Sequence, residues 1–232
     1  MKRKALLLIF TACLAFATRA GADQLLFGFT GFDYQDPNLD GTYLDVGEGY
    51  NVIGFVTGVG LLLDPYFDDT VNQYTIQIHN LTVTSRTSLG SLLAVNFANG
   101  GRASYFADPL LGGTNATYGI NPPNATAPST FIDGSMRITG SVDNFVLTYN
   151  FSTNQGSFSG NMTVDGGPDA DYVPAEVRSG WVLGGLSGNG LSGPPNATVP
   201  TGYDHQVSGE CRHPDVTSAT HATWGAVKAL YR

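Results

Sequence analysis

The stretch 143-DNFVLTYNFSTNQGSFSGNMTVDGG-167 decides the fold class. Phe145, Leu147 and Tyr149 occupy every second position and are separated by Val146 and Thr148. After the "TNQG" turn, large apolar residues again share one face, and small polar residues share the other. A period of two places successive side chains on opposite faces of a strand. The stretch therefore predicts an antiparallel hairpin with one buried face.

The rest of the chain has the same character. It contains 30 glycines and only 13% charged residues, with many β-branched and aromatic side chains, which indicates an all-β protein. Further strands are predicted at 25–32, 50–59, 74–84, 91–97, 102–107, 131–140, 180–186 and 203–213. Gly, Pro and Asp clusters separate them. We expect a single antiparallel β-sandwich of about ten strands, jelly-roll-like, over residues 23–215.

The strand predicted at 74–84 changes phase within its length. Ile76 and Ile78 lie on one face, whereas Leu81 and Val83 lie on the other. Because side chains alternate strictly along a regular strand, such a change requires an extra residue or a bend. We therefore predict, near Asn80, a bulge or a bend from one sheet to the other.

The N-terminus has the pattern of a secretory signal peptide. Residues 2–4 are basic, residues 5–17 are apolar, and Ala20 and Ala22 form an A-x-A cleavage pattern. The apolar stretch is too short for a stable membrane span. We expect residues 1–22 to be removed and the mature chain to be secreted, with an extracellular or cell-surface location.

The charge of the mature chain excludes one class of partner. The full sequence has 11 Lys and Arg against 19 Asp and Glu, a net charge of −8. Removing residues 1–22 leaves seven basic residues against the same nineteen acidic ones, a net charge of −12. A phosphate backbone would be repelled, so nucleic acid is not an expected partner. No second apolar run has membrane length, so no transmembrane span is expected.

The two cysteines raise separate questions. Cys13 lies in "FTAC", a poor match to a lipidation motif, so an acylated N-terminus is the less favoured alternative to simple cleavage. Only Cys211 remains in the mature chain, which therefore cannot form an internal disulfide. Cys211 is either a buried small residue, the favoured interpretation, or a thiol that pairs between chains.

The stretch 33-DYQDPNLDGTYLDVGEG-49 resembles half of a calcium loop. Asp36, Asn38 and Asp40 alternate, and Gly41 provides the sharp turn at the sixth position. However, Gly47 occupies the twelfth position, where a bidentate carboxylate is needed. Asp and Asn are equally common in turns between strands. The stretch predicts either a structural calcium site or a plain turn, and the plain turn is favoured; no other cofactor is expected.

Motifs for catalysis are weak. There is no G-x-S-x-G elbow and no phosphate-binding loop. Cys211 and His213 would lie about 7 Å apart on one strand, but two ligands do not make a zinc site. Paired carboxylates for glycoside hydrolysis form only in space, and few acidic residues fall inside apolar strands, with Asp133 and Glu210 as the exceptions. We therefore expect a non-enzymatic protein, with a secreted hydrolase as the third choice.

Aromatic residues in loops suggest the alternative function. Tyr34, Tyr43, Tyr66, Tyr118 and Tyr172 could stack on sugars, although aromatics at sheet edges are more often packing residues. The favoured interpretation is an extracellular or cell-surface β-sandwich protein of unknown specific role. A carbohydrate-binding module, in contact with polysaccharide, is the alternative.

The C-terminal tail, residues 216–232, differs in composition from the β domain. Trp224, Val227, Lys228 and Tyr231 follow helical spacing, which predicts a short amphipathic helix. The tail either docks an aromatic residue on the domain or is read by sorting or assembly machinery. The ending "TWGAVKALYR" resembles the ends of predicted exported bacterial proteins of unknown function. That resemblance implies a bacterial exported protein and supplies no activity.

Overall fold

The computed structural model describes residues 24–37, 42–118, 129–188, 199–200 and 202–214. The predicted signal peptide (1–22) and tail (216–232) lie outside these residues. The described chain forms nine strands: β1 (Gln24–Gln35), β2 (Gly49–Val59), β3 (Asn72–Leu89), β4 (Leu92–Phe97), β5 (Gly101–Pro109), β6 (Ser135–Asn150), β7 (Gln155–Gly166), β8 (Trp181–Gly188) and β9 (His205–His213). Three 3₁₀ turns lie between them: η1 (Asp64–Tyr66), η2 (Pro168–Tyr172) and η3 (Ala175–Val177).

The strands close into an antiparallel barrel, and the prediction of a β-sandwich is wrong. The hydrogen-bonded order is β2-β1-β9-β8-β7-β6-β4-β3-β5, and β2 also pairs with β3 while β6 also pairs with β5. The β2–β3 pairing, for example Val52 opposite Ile78, joins the two ends of the sheet. Alternation of side chains is the same in a sandwich and in a barrel, so it could not predict this closure.

Strands β4 and β5 both lie between β3 and β6, one after the other along those strands. The nine strands therefore occupy eight positions around the barrel. Residues 72–79 of β3 pair with β5, and residues 83–89 pair with β4. Near this change of partner, Asn80 in β3, Gly100 in the turn that joins β4 to β5, and Asn144 in β6 all have positive φ, at 59°, 92° and 52°. Leu81 and Ile78 of β3 pair with Tyr50 and Val52 of β2, so β3 has one extra residue between the two pairs. The bulge predicted near Asn80 is therefore confirmed.

Large side chains fill the barrel interior. Trp181, Tyr50, Phe27, Phe29 and Phe145 are all fully buried, in one core that receives side chains from every strand. An eight-stranded barrel is just wide enough for its interior to be filled in this way. The hairpin that the sequence predicts at 143–167 contributes Phe145, Leu147, Tyr149, Phe158, Met162 and Val164 to this core.

A second cluster covers the outer face of β1 and β2. Phe32 and Ile53 point outward from these strands and pack against Phe131 and Tyr203 from the loops around them. Tyr118 packs on the same cluster, with its ring centroid 4.6 Å from that of Phe32. Loops 110–118 and 129–134 are therefore fastened to the outside of the barrel by aromatic contacts.

Candidate functional site

A fully buried carboxylate, that of Asp33, lies in the barrel interior near the end of β1. Asp33 is fully buried, and the hydroxyls of Tyr50 and Ser187 each donate a hydrogen bond to its Oδ2 at 3.0 Å. The backbone N–H of His205 donates to Oδ1 at 2.6 Å, and His205 Nδ1 lies 3.3 Å from the same oxygen. Because a buried charge is costly without partners, these contacts stabilise the carboxylate in the core.

The arrangement around Asp33 ties strands together and is not a catalytic triad. In a triad the serine hydroxyl bonds to the histidine, whereas the Ser187 hydroxyl bonds directly to Asp33. The His205 ring packs against the rings of Tyr149 and Tyr43, with centroids 4.4 and 4.9 Å away. The cluster therefore links β1, β2, β8 and β9 at one end of the barrel.

Burial near Asp33 changes the acidity of its neighbours. Burial, and then the negative charge of Asp33, raise the pKa values of Tyr43 and Tyr50 well above their ordinary range. The two hydroxyls therefore stay protonated at neutral pH, and that of Tyr50 remains a donor to Asp33. Burial, followed by repulsion from Asp33, also raises the pKa of Asp204 to about 6, although the Gln35 amide donates to its carboxylate at 3.2 Å.

The opposite end of the barrel carries an exposed pair of aromatic rings. Tyr66, in η1, and Tyr172, in η2, stack with ring centroids 3.4 Å apart and planes inclined by only 7°. Their exposed fractions are 43% and 37%. Most of the aromatic rings that the structure describes are buried, so an exposed stacked pair is a candidate for ligand contact.

A cleft of about 170 Å³ lies beside this pair, and we call it the tyrosine cleft. It is lined by Tyr66, Asn72, Tyr74, Ala107, Pro109, Ser135 and Arg137. The lining combines an aromatic ring with an amide, a hydroxyl and a guanidinium group. Such a combination offers one apolar surface and several hydrogen-bonding groups to a small polar ligand.

An ion pair and a column of rings hold the tyrosine cleft in place. Arg137, in β6, donates from Nε and Nη2 to the two oxygens of Asp169 at 2.9 and 2.6 Å, and this bond raises the pKa of Arg137. Asp169 is buried within η2, so the pair fixes the turn that carries Tyr172. The Tyr74 ring stacks between Phe67 and Tyr105, at centroid distances of 4.3 and 5.4 Å.

The five loop tyrosines predicted as sugar contacts have three different environments. Tyr34 and Tyr118 belong to the cluster on the outer face of β1 and β2. Tyr43 packs into the polar end of the barrel interior. Only Tyr66 and Tyr172 come together as an exposed pair.

The predicted calcium ligands are only partly described. Asp36 lies exposed in a bend after β1, whereas Asn38 and Asp40 lie outside the described residues. The calcium site therefore stays a prediction. Elsewhere in the described chain, no group of three His, Cys, Asp or Glu side chains is placed to hold a metal ion.

The other residues considered for chemistry lie apart from one another. The predicted burial of Cys211 is confirmed, and its thiol contacts Met162 Sδ at 3.7 Å. His213 instead packs edge-on to Trp181. Glu210 is exposed on the outer face of β9 and bonds to Arg212. Asp133 is exposed in the turn before β6.

Sequence reasoning missed Asp33, Arg137 and Asp169. For Asp33 a signal existed, because it shares the inward phase of β1 with Phe29, and an acidic residue in that phase indicates a buried carboxylate. For Asp169 there was no signal, because the loop that contains it shows no periodicity. Its partner lies 32 residues away along the chain.

Comparisons with protein-family models, with curated proteins and with solved structures gave no match. Among the residues that the structure describes, no helix is long and apolar enough to cross a membrane.

Proposed function

We propose that this chain is an exported, non-enzymatic β-barrel protein that binds carbohydrate at the tyrosine cleft. The observation that carries the proposal is the exposed, parallel Tyr66–Tyr172 pair at the edge of a cleft with hydrogen-bonding walls. Export is supported by the leader pattern of residues 1–22 and by a mature chain that retains one buried cysteine.

The composition of the cleft suits a sugar. One face of a pyranose ring presents C–H groups that pack on an aromatic ring, while its hydroxyls need hydrogen-bond partners. Tyr66 supplies the ring, and Asn72, Ser135 and Arg137 supply polar groups. A volume of about 170 Å³ equals that of about six water molecules, which is room for one sugar ring. Binding to a single residue of a longer polysaccharide is therefore favoured.

Two observations support binding without catalysis. Glycoside hydrolysis requires a pair of carboxyl groups flanking the bond that breaks, and none of the residues lining the tyrosine cleft is acidic. The nearby Asp169 is occupied by its two hydrogen bonds from Arg137. At the other end of the barrel, the Asp33 carboxylate accepts three hydrogen bonds from neighbouring strands.

The experiment is a glycan array probed with the mature protein, followed by titration of the best glycan. We expect saturable binding that falls about tenfold in Tyr66→Ala, since an aromatic contact contributes on the order of 1–1.5 kcal/mol. Tyr66→Phe keeps the ring and should bind nearly as well. Phe151→Ala is the matched control, because Phe151 is an aromatic residue of similar exposure, 44%, at the opposite end of the barrel. A folded Tyr66→Ala variant that binds like the wild type would refute the proposed site, and an array without saturable binding would refute the function.

A further inference from the structure

The loops that form the tyrosine cleft carry an unusual number of acidic residues. Asp64 lies in the same 3₁₀ turn as Tyr66, and Asp68 and Asp69 follow it directly. The backbone N–H of Asp68 donates to the Tyr74 hydroxyl at 2.9 Å, which places this residue next to the lining of the cleft. On the other side, η2 contributes Asp169 and Asp171.

Only two of these five carboxylates have a basic partner among the described residues. Arg137 bonds to Asp169, and Arg178 bonds to Asp171 at 3.0 Å. Each of these pairs is neutral. Asp64, Asp68 and Asp69 therefore leave about three negative charges beside Tyr66.

Asp68 is held in its ionised form by its own loop. The backbone N–H and the hydroxyl of Thr70 donate to its Oδ1 at 3.0 and 2.6 Å. These hydrogen bonds favour the carboxylate and lower the pKa of Asp68 below its ordinary value. The negative charge near the cleft therefore persists into mildly acidic solution.

From this charge distribution we propose that the tyrosine cleft discriminates between sugars by charge: it binds amino sugars more tightly than neutral sugars, and neutral sugars more tightly than uronates. This inference rests on the proposed carbohydrate binding and adds the class of sugar. The aromatic ring and the polar groups of the cleft are the same for all three classes, so the order comes from the three carboxylates beside Tyr66.

The size of the effect follows from Coulomb's law. A carboxylate on the order of 10 Å from a unit charge in water changes its affinity about twofold before screening. Three carboxylates, partly screened at 20 mM salt, give about a three- to fourfold change for each unit of ligand charge. At 1 M salt the screening length is about 3 Å, so the three classes of sugar should bind with nearly equal affinity.

The test uses matched trios of immobilised oligosaccharides in gluco and galacto configurations, each with a neutral, an amino and a uronate member. Binding of the mature protein is measured at pH 6, where the amine is protonated, in 20 mM and in 1 M salt. We expect about a tenfold range from amino to uronate sugar in low salt and none in high salt. The triple variant Asp64→Asn, Asp68→Asn, Asp69→Asn should lose the order and keep binding to the neutral sugar. Asp36→Asn, which neutralises an exposed carboxylate at the other end of the barrel, should keep the order.

The outcomes separate the two proposals. Equal or tighter binding of uronates, or an order that survives in the triple variant, overturns the charge discrimination while carbohydrate binding stands. Absence of saturable binding to every member of the trios overturns the carbohydrate proposal, and the charge discrimination with it.

Discussion

Replacing Asp33 with asparagine tests whether the buried carboxylate stabilises the fold by linking neighbouring strands. The carboxylate accepts three hydrogen bonds, from the Tyr50 and Ser187 hydroxyls and the His205 N–H. A hydrogen bond to a charged group contributes about 1.5–3 kcal/mol, against about 0.5–1.5 for a neutral pair. Asparagine keeps the shape: its amide oxygen can accept from the His205 N–H, and its amide nitrogen can donate to the two hydroxyls in place of accepting from them. Each bond then becomes a neutral one and loses about 1 kcal/mol, about 3 kcal/mol in all. Because asparagine is uncharged, the cost of burying a charge disappears, and this gain offsets part of the loss. We therefore expect a net loss of about 2 kcal/mol in unfolding free energy.

The assay is urea unfolding at pH 7, followed by the fluorescence of the fully buried Trp181. With a urea slope of about 2 kcal/mol/M, the midpoint should fall by about 1 M. Asp165→Asn is the control, because it breaks an exposed ion pair with Arg102 that should contribute less than about 1 kcal/mol. An Asp33→Asn variant within about 0.5 kcal/mol of the wild type would refute the structural role. That result would return Asp33 and His205 to consideration as reactive groups.

Two further predictions concern the same barrel. Because the folded state raises the pKa of Asp204 from 3.8 to about 6, the folded protein binds more protons than the unfolded chain between these values. The stability contributed by this residue therefore falls as pH rises from about 4 to 6. Asp204→Asn should raise the unfolding free energy by about 1–2 kcal/mol at pH 7.5 and change it very little at pH 3.5. Equal gains in unfolding free energy at both pH values, measured by urea titration, would contradict the assignment. The second prediction compares two glycines. A Cβ added at Gly185 would lie 2.4 Å from the Ser208 carbonyl oxygen, whereas a Cβ added at Gly58 would have no neighbour within 4 Å. Gly185→Ala should lower the unfolding free energy by about 2–3 kcal/mol and Gly58→Ala by less than about 0.5, and similar thermal midpoints for the two would refute the close approach of β8 and β9.

The sequence predicted the strands well because buried and exposed positions alternate clearly in strands such as β4, β6 and β7. The hairpin at 143–167 and the predicted strands all correspond to observed strands, although the segment at 131–140 joins the first strand of the hairpin to form the long β6. The pattern could not predict which strands pair. The barrel order includes pairs such as Leu25 in β1 opposite Arg212 in β9, which are remote along the chain. The alternation of apolar and polar residues indicates which side chains are buried, but it does not indicate which residue lies opposite on the neighbouring strand.

The candidate site was predictable only as a set of residue types. Tyr66 and Tyr172 belong to the loop tyrosines that the sequence singles out, but nothing in the sequence distinguishes them from Tyr34 or Tyr118. The distinction comes from packing, because the loops around Tyr118 lie over the apolar outer faces of β1 and β2. By contrast, the tyrosines of η1 and η2 stay exposed and pack on each other, while Ala170 of η2 packs into the core.

Closure of the barrel also explains why binding is expected at one end of the molecule. Side chains such as Trp181 and Tyr50 occupy the interior, so a ligand can reach only the outer wall or the loops. At one end, the Asp33 cluster uses its polar groups to join four strands. At the other end, the Arg137–Asp169 pair anchors η2 to β6, so the turn that carries Tyr172 is held by a contact outside the apolar core. Substitutions at the exposed positions of these turns, such as Tyr66 in η1 and Tyr172 in η2, can therefore alter ligand choice while the core keeps its packing, which is the arrangement that a binding loop on a rigid scaffold requires.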